Sequence, residues 1–275
     1  MALSLLSVIN AISPKELTSR RVAQGLVYGQ HWRQRFDFYA PRRVNGPLPV
    51  VVFIYGGSWS DGERGAYGFA GRALAALGYL VAVPDYRLLP EVEYPTFLAD
   101  CAAAFSAVVR EAPAYGGDAD TMALMGHSAG AYNAAMLALD PAYLRATGDH
   151  ARLRALVGLS GPYDFYPFDS PITVRTFGAV ADPEATQPVN LVGPSVPPVF
   201  LGHGLADSLV YPRNTEALAA RLRQNGVVVE EKYYPGISHP MTLMPLGRLF
   251  RGKAPVLADV GRFLATHLVH AAVAA

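Results

Sequence analysis

The sequence predicts an α/β protein with a mostly parallel central sheet, helices on both faces and one small cap or lid excursion. Three observations carry that expectation. Short apolar runs of strand length alternate with helix-period segments over most of the 275 residues. The run Pro49 to Tyr55 (PVVVFIY) is wholly apolar and rich in β-branched residues, which suits a strand buried on both faces. The pentapeptide Gly126-His127-Ser128-Ala129-Gly130 stands between a strand-like and a helix-like segment, where a sharp turn projects a hydroxyl at the end of a sheet.

The elements follow in order. Residues 35–40 alternate polar and apolar side chains, as a half-exposed edge strand does. After PVVVFIY, Ala66 to Leu77 reads as helix, with Gly78 as its stop signal, and Tyr79 to Val83 reads as a second buried strand. A helix near Thr96 to Arg110 precedes the strand Thr121 to Met125, and the Ala- and Leu-rich stretch Ala131 to Leu139 is the helix beyond the pentapeptide. The second half repeats the rhythm: strands at Ala155 to Leu159 and Pro198 to Leu201, a helix at Asn214 to Gln224, a strand at Val227 to Tyr234, and a closing amphipathic helix at Asp259 to His270. With no internal repeat or low-complexity linker, residues 1–275 read as one domain, with a short N-terminal segment (1–30). Residues 162–197 break the pattern with prolines and aromatics, and are expected to form the cap or lid excursion rather than a plain surface loop.

Composition narrows the function. Hydrophobic residues make up 51% and charged residues 16%, so a large core is available. The 23 basic and 22 acidic residues leave a formal charge of +1, which does not favour nucleic acid as a partner. Cys101 is the single cysteine, so an internal disulfide and a thiolate metal cage are both ruled out, and it reads as a buried small hydrophobe. Metal-protease spacing, a Walker loop and a dinucleotide-binding glycine signature are missing. The apolar stretch Met1 to Ile12 is too short to span a bilayer and lacks basic residues at its start; a packing or cap helix is expected, without stable membrane insertion, in a cytoplasmic protein.

A serine hydroxyl needs a positioned base, and that base needs an orienting carboxylate. In an elbow-type site the chain order is serine, acid, histidine, each after a strand. Asp207 follows the strand ending near Leu201, and His239 follows the next strand, with one helix between them. The other histidines fit less well: His31 and His127 precede the serine, His150 lacks an intervening strand, and His267 and His270 sit in the closing helix. His203 precedes the acid and is expected to shape the loop carrying Asp207. Alone, His239 would read as a turn histidine and Asp207 as a cap or turn aspartate, with Asp182 and Glu184 as weaker rivals. Tyr55-Gly56-Gly57-Ser58-Trp59 follows the PVVVFIY strand, and its glycines let amides approach a developing oxyanion. The expected donors are the amides of Gly57, Ser58 and Ala129.

These residues resemble the α/β-hydrolase superfamily. The block Asp85-Tyr86-Arg87-Leu88-Leu89-Pro90-Glu91 with Tyr94-Pro95 and Asp100, together with Gly116-Gly117-Asp118, is similar to the hormone-sensitive-lipase-like carboxylesterases. The resemblance implies a serine esterase that works through an acyl-enzyme with no metal and no organic cofactor, on a small-molecule ester with a short acyl chain. It also implies structural roles for Asp85 and Arg87. The excursion aromatics, Tyr163 among them, are expected to form with Trp59 an apolar acyl or alcohol pocket. One departure is clear: the family's usual His-Gly-Gly-Gly is here Tyr55-Gly56-Gly57-Ser58, and the pattern with Trp59 also resembles the kynurenine-formamidase-like branch. An amidase or formamidase therefore stands as the alternative bond, and a noncatalytic binding protein on the same scaffold as the alternative class. An edge strand or the closing helix leaves a homodimer open.

Overall fold

The computed structural model describes residues 10–268. Among these, eight strands form one sheet: β1 (Ser19–Val27), β2 (Arg35–Pro41), β3 (Leu48–Ile54), β4 (Leu80–Pro84), β5 (Gly117–His127), β6 (Leu153–Leu159), β7 (Val199–Gly204) and β8 (Val229–Tyr234). Their spatial order is β1-β2-β4-β3-β5-β6-β7-β8. β2 runs antiparallel to both neighbours, and every pairing from β4 to β8 is parallel. The helices are α1 (Gly68–Ala76), α2 (Thr96–Glu111), α3 (Ala129–Leu139), α4 (Ala142–Arg145), α5 (Pro171–Phe177), α6 (Arg213–Gln224) and α7 (Val256–His267).

The buried centre follows from sequence chemistry. Val50 to Ile54 are fully inaccessible because β3 lies between β4 and β5 while helices cover the sheet. β-Branched side chains pack well on such a two-sided surface. Every residue of α3 is buried, which its small Ala and Gly side chains permit. Gly130 shows the limit of that approach: a Cβ there would sit 2.1 Å from the carbonyl oxygen of Ile54. Burying each of Phe53, Phe97 and Phe105 contributes about 1.5–3 kcal/mol.

The first edge differs from expectation. β1, with the sequence SRRVAQGLV, is too polar to stand out as a strand, yet it pairs with β2 and takes the edge position. β2 is consequently buried rather than half-exposed. Its polar residue Asp37 is buried because two guanidiniums meet its carboxylate, Arg64 at 2.9 Å and Arg21 at 3.3 Å, and the Gly25 amide donates at 2.8 Å. β8, the opposite edge, carries Glu230, Glu231 and Lys232, charges that discourage further strand pairing.

The 162–197 excursion holds α5 and two short 3-10 turns. Ser170 and Thr173 form a reciprocal capping box at the start of α5. At its end, Phe177 is fully buried against Trp59, Tyr132, Phe165 and Phe168, which ties the excursion to the core. The expected helix over residues 1–12 lies largely outside the described residues. Among the described residues no helix is long and apolar enough to cross a membrane.

Candidate active site

β5 ends in a tight turn at Ser128, whose backbone adopts φ 56° and ψ −127°. A side chain at positive φ is strained, and such strain persists only where the surroundings impose it. Here the Ser128 amide donates to the Leu159 carbonyl at 2.9 Å, and α3 starts at the next residue. A Cβ on Gly126 would lie 2.2 Å from the Gly130 oxygen, so the turn closes only with glycine at both ends of the pentapeptide. The hydroxyl is thereby held at the carboxyl end of a central parallel strand.

Two loops at the same end of the sheet bring the partners. The loop after β7 carries Asp207 and the loop after β8 carries His239. His239 Nδ1 lies 2.8 Å from Asp207 Oδ2, and its Nε2 lies 2.8 Å from Ser128 Oγ. The carboxylate requires a proton on Nδ1, which leaves the Nε2 lone pair facing the serine hydroxyl. Asp207 is well held in turn. Its Oδ1 accepts the amides of Leu209 at 3.0 Å and Val210 at 2.9 Å. Burial works to raise its pKa, but the hydrogen bonds from His203, His239 and Val210 outweigh burial and hold the carboxyl far below its ordinary range.

His203 does shape the acid's loop. It is completely buried, its Nε2 lying 2.8 Å from the Val210 carbonyl oxygen and 3.3 Å from Asp207, and its Nδ1 lying 2.7 Å from the Thr215 hydroxyl. A second histidine had no sequence signal beyond its place beside Ser128. His127 Nε2 lies 3.0 Å from the backbone carbonyl oxygen of His239, which also accepts the Thr242 hydroxyl at 2.8 Å. Burial, aided by the neighbouring His239, pushes the His127 pKa down to about 3. It therefore stays neutral, and its Nε2–H can hold the His239 backbone from behind.

The loop after β3 has positive φ at three successive residues: Gly57 (130°), Ser58 (52°) and Trp59 (55°). The Gly57 carbonyl accepts the amides of Ser60 at 3.0 Å and Asp61 at 2.9 Å, which turns that carbonyl into the loop. Among the described residues, the amides of Gly57, Ser58 and Ala129 donate no hydrogen bond to the protein. Gly56 approaches the elbow so closely that a Cβ on it would stand 2.9 Å from the Ser128 Cβ.

Tyr55, the departure from the usual histidine, is fully buried between the rings of Tyr67 and Tyr86, with centroids 4.9 and 5.0 Å away. Its hydroxyl donates to Asp85 at 2.7 Å and accepts from Arg33 at 2.9 Å. Arg33 also donates to the carbonyls of Tyr86 at 2.8 Å and Gly62 at 2.6 Å. Arg64 completes the support through Asp85. Arg87 pairs instead with Asp100, at 2.7 Å. Asp85 and Arg87 both hold loops, as the resemblance implied. Arg33 and Arg64 carried no motif signal.

Two cavities meet at Ser128. One, of about 150 Å³, is bordered by Trp59, Phe165, Ile172 and Leu209 and lies under the excursion. The other, of about 480 Å³, is bordered by His239, Met241, Leu243, Met244 and Phe250. Ser58, Ser128 and Leu209 border both. Trp59 joins the first cavity's wall while its Nε1 donates to Asn133 at 3.0 Å. Tyr163 does not belong with it, contrary to expectation: it is fully buried outside both linings. Its ring fills the space above Gly158 and Gly161, where a Cβ would come within 2.0 and 2.4 Å of it. It is a packing residue at the root of the excursion.

Comparison with known proteins follows the same lines. The family model described as BD-FAE matches residues 36–222. A probable isoprenylcysteine alpha-carbonyl methylesterase of Oryza sativa subsp. japonica is 32% identical over 248 residues, covering 80% of this chain and 57% of that protein. Esterase LipC of Mycobacterium tuberculosis is 28% identical over 218 residues, 72% of this chain and 54% of that protein. The chain thus spans little more than half the length of these curated relatives. In overall shape it is similar to an inhibited esterase B from Lactobacillus rhamnosis, with TM-score 0.82 and 21% identity, covering 95% of this chain and 90% of that one. The thermostable carboxylesterase EstE1 from a metagenomic library matches at TM-score 0.76 and 20% identity, covering 96% and 94%. These likenesses identify the α/β-hydrolase fold.

Proposed function

Since the chain belongs to the BD-FAE family, within the α/β-hydrolase fold, we propose that it is a serine carboxylesterase for small esters with short acyl chains. Ser128 Oγ attacks the ester carbonyl while His239 Nε2 takes its proton. Asp207 orients the imidazole and stabilises its cation. The amides of Gly57, Ser58 and Ala129 hold the oxyanion, each such donor contributing about 10²–10³ in rate. Collapse breaks the acyl–oxygen bond, and the leaving alkoxide takes the proton from His239. Water, deprotonated by the same nitrogen, then cleaves the acyl-enzyme and returns the proton to Ser128.

The observation that carries this reading is the unbroken hydrogen-bonded chain Asp207–His239–Ser128, both links 2.8 Å, beside cavities that Gly57, Ser58 and Ala129 help to line. Relatives named as methylesterase and esterase favour an ester over an amide bond. The small cavity under the excursion supports the short acyl chain. The compartment in this reading is the cytoplasm, where the lone buried thiol of Cys101 stays reduced. Hydrolysis of p-nitrophenyl esters from acetate to laurate, with and without Ser128→Ala, tests it. Activity should peak at short chains and vanish in the variant, and a serine-reactive phosphonate should label Ser128. Full activity of Ser128→Ala would sink the mechanism.

A further inference from the structure

Two cavities of unequal size flank one nucleophile, and the catalytic groups decide which arm of an ester enters each. We propose that the larger cavity receives the leaving alcohol and the smaller one the acyl group, so that the protein accepts bulky apolar alcohols but only short acyl chains. The inference rests on the esterase reading.

The argument starts from the tetrahedral carbon, which carries Ser128 Oγ, the oxyanion, the leaving oxygen and the acyl carbon. The oxyanion is fixed by the amides of Gly57, Ser58 and Ala129. The leaving oxygen must come within hydrogen-bond reach of His239 Nε2, because the nitrogen that removed the serine proton delivers it there. His239 borders the larger cavity and not the smaller. The alkoxy arm therefore extends into the larger cavity. The acyl arm takes the remaining direction, past Ala129 and Trp59 towards Ile172.

Size and chemistry then set the preference. The acyl side, at about 150 Å³, has less than a third of the room on the alcohol side, so it confines the acyl arm more tightly. The alcohol side has 480 Å³ and is walled by Tyr67, Leu243, Phe250 and two methionines, Met241 and Met244. Methionine is unbranched and polarisable, so this wall adapts to flat aryl or branched alkyl groups. Ile172 and Met241 are both only partly buried, which makes each a practical position for resizing one cavity.

The test uses two substrate series: one acid with ethyl, benzyl and 1-naphthyl alcohols, and one phenol with acetyl to octanoyl groups. Met241→Trp should lower the naphthyl-to-ethyl ratio of kcat/KM by roughly tenfold or more, a usual range for altered pocket fit. Ile172→Trp should lower the butyryl-to-acetyl ratio to a similar degree. Circular dichroism checks that each variant folds; if one does not, the Ala variants should move the same ratios in the opposite direction. Crossed effects, with Met241 governing acyl length and Ile172 governing the alcohol, overturn the assignment, as does a folded pair of variants that moves neither ratio. Wild-type protein that hydrolyses no ester in either series refutes the esterase reading itself, a result distinct from crossed ratios.

Discussion

The phenol of Tyr55 donates a 2.7 Å hydrogen bond to the carboxylate of Asp85, thirty positions further along the chain. This contact joins the end of β3 to the segment after β4, directly behind the loop that presents the Gly57 and Ser58 amides. Tyrosine in place of the usual histidine therefore keeps the loop buttressed, through a longer side chain that reaches a buried anion.

Tyr55→Phe removes the hydroxyl and leaves Asp85 and Arg33 each short of a partner. The expected cost is about 1–3 kcal/mol of stability, the range for an unmet buried polar group. kcat should fall several-fold with little change in KM, because the proposed oxyanion donors on this loop act in the transition state more than in the ground state. Denaturant melts and steady-state kinetics on p-nitrophenyl acetate measure both.

Asp207→Asn should lower kcat by about 10³–10⁴-fold while the protein stays folded. The amide can keep the contact yet favours the wrong imidazole tautomer, turning a proton towards Ser128. Retention of more than a tenth of wild-type kcat would contradict the assigned orienting role.

His127 acts on His239 from behind. His127→Leu deletes the donor to the His239 carbonyl and should reduce kcat roughly tenfold, whereas His127→Gln, which can still donate, should lose less. The pair separates a positioning effect from simple loss of packing.

The same residue sets an acid limit on stability. Above about pH 6.5 the imidazole is neutral in folded and unfolded chains alike. Below that, the unfolded chain binds a proton that the buried ring refuses until about pH 3. Stability therefore falls as pH drops from 6.5 towards 3, with the depressed carboxyl of Asp207 adding to the loss below its ordinary value. Urea titrations across this window should give a shallower slope for His127→Gln than for wild type.

Gly130→Ala should destabilise the fold by about 3 kcal/mol or more, because the new methyl meets backbone oxygens of Ile54 and Tyr55. Gly65→Ala is the control: nothing lies within 4 Å of a Cβ there. Thermal melts of the two proteins should differ clearly.

The buried strands and the order Ser128, Asp207, His239 were legible because each rests on local signals: apolar runs, a glycine-flanked serine, and one strand before each partner. β1 was not, since SRRVAQGLV has neither alternation nor apolar density and becomes a strand only by pairing with β2. Arg33 and Arg64 look like ordinary surface cations in sequence; their burial depends on Asp37, Asp85 and Tyr55 arriving from separate segments. Tyr163 was misread for the same reason. An aromatic in a proline-rich stretch suggests a pocket wall, and only the close pass of Gly158 and Gly161 makes it a packing residue.

The recognisable family core begins at residue 36, whereas Arg33 stands just before it and holds Tyr55, Tyr86 and Gly62 together. A shortened expression clone cut to the family boundary would retain Ser128, Asp207 and His239 and the loop carrying the Gly57 and Ser58 amides. It would nevertheless lose the bracket that fixes where those amides point, along with the β1 edge beside it. Trimming for crystallisation, fusion or display should therefore leave everything from Ser19 onward in place.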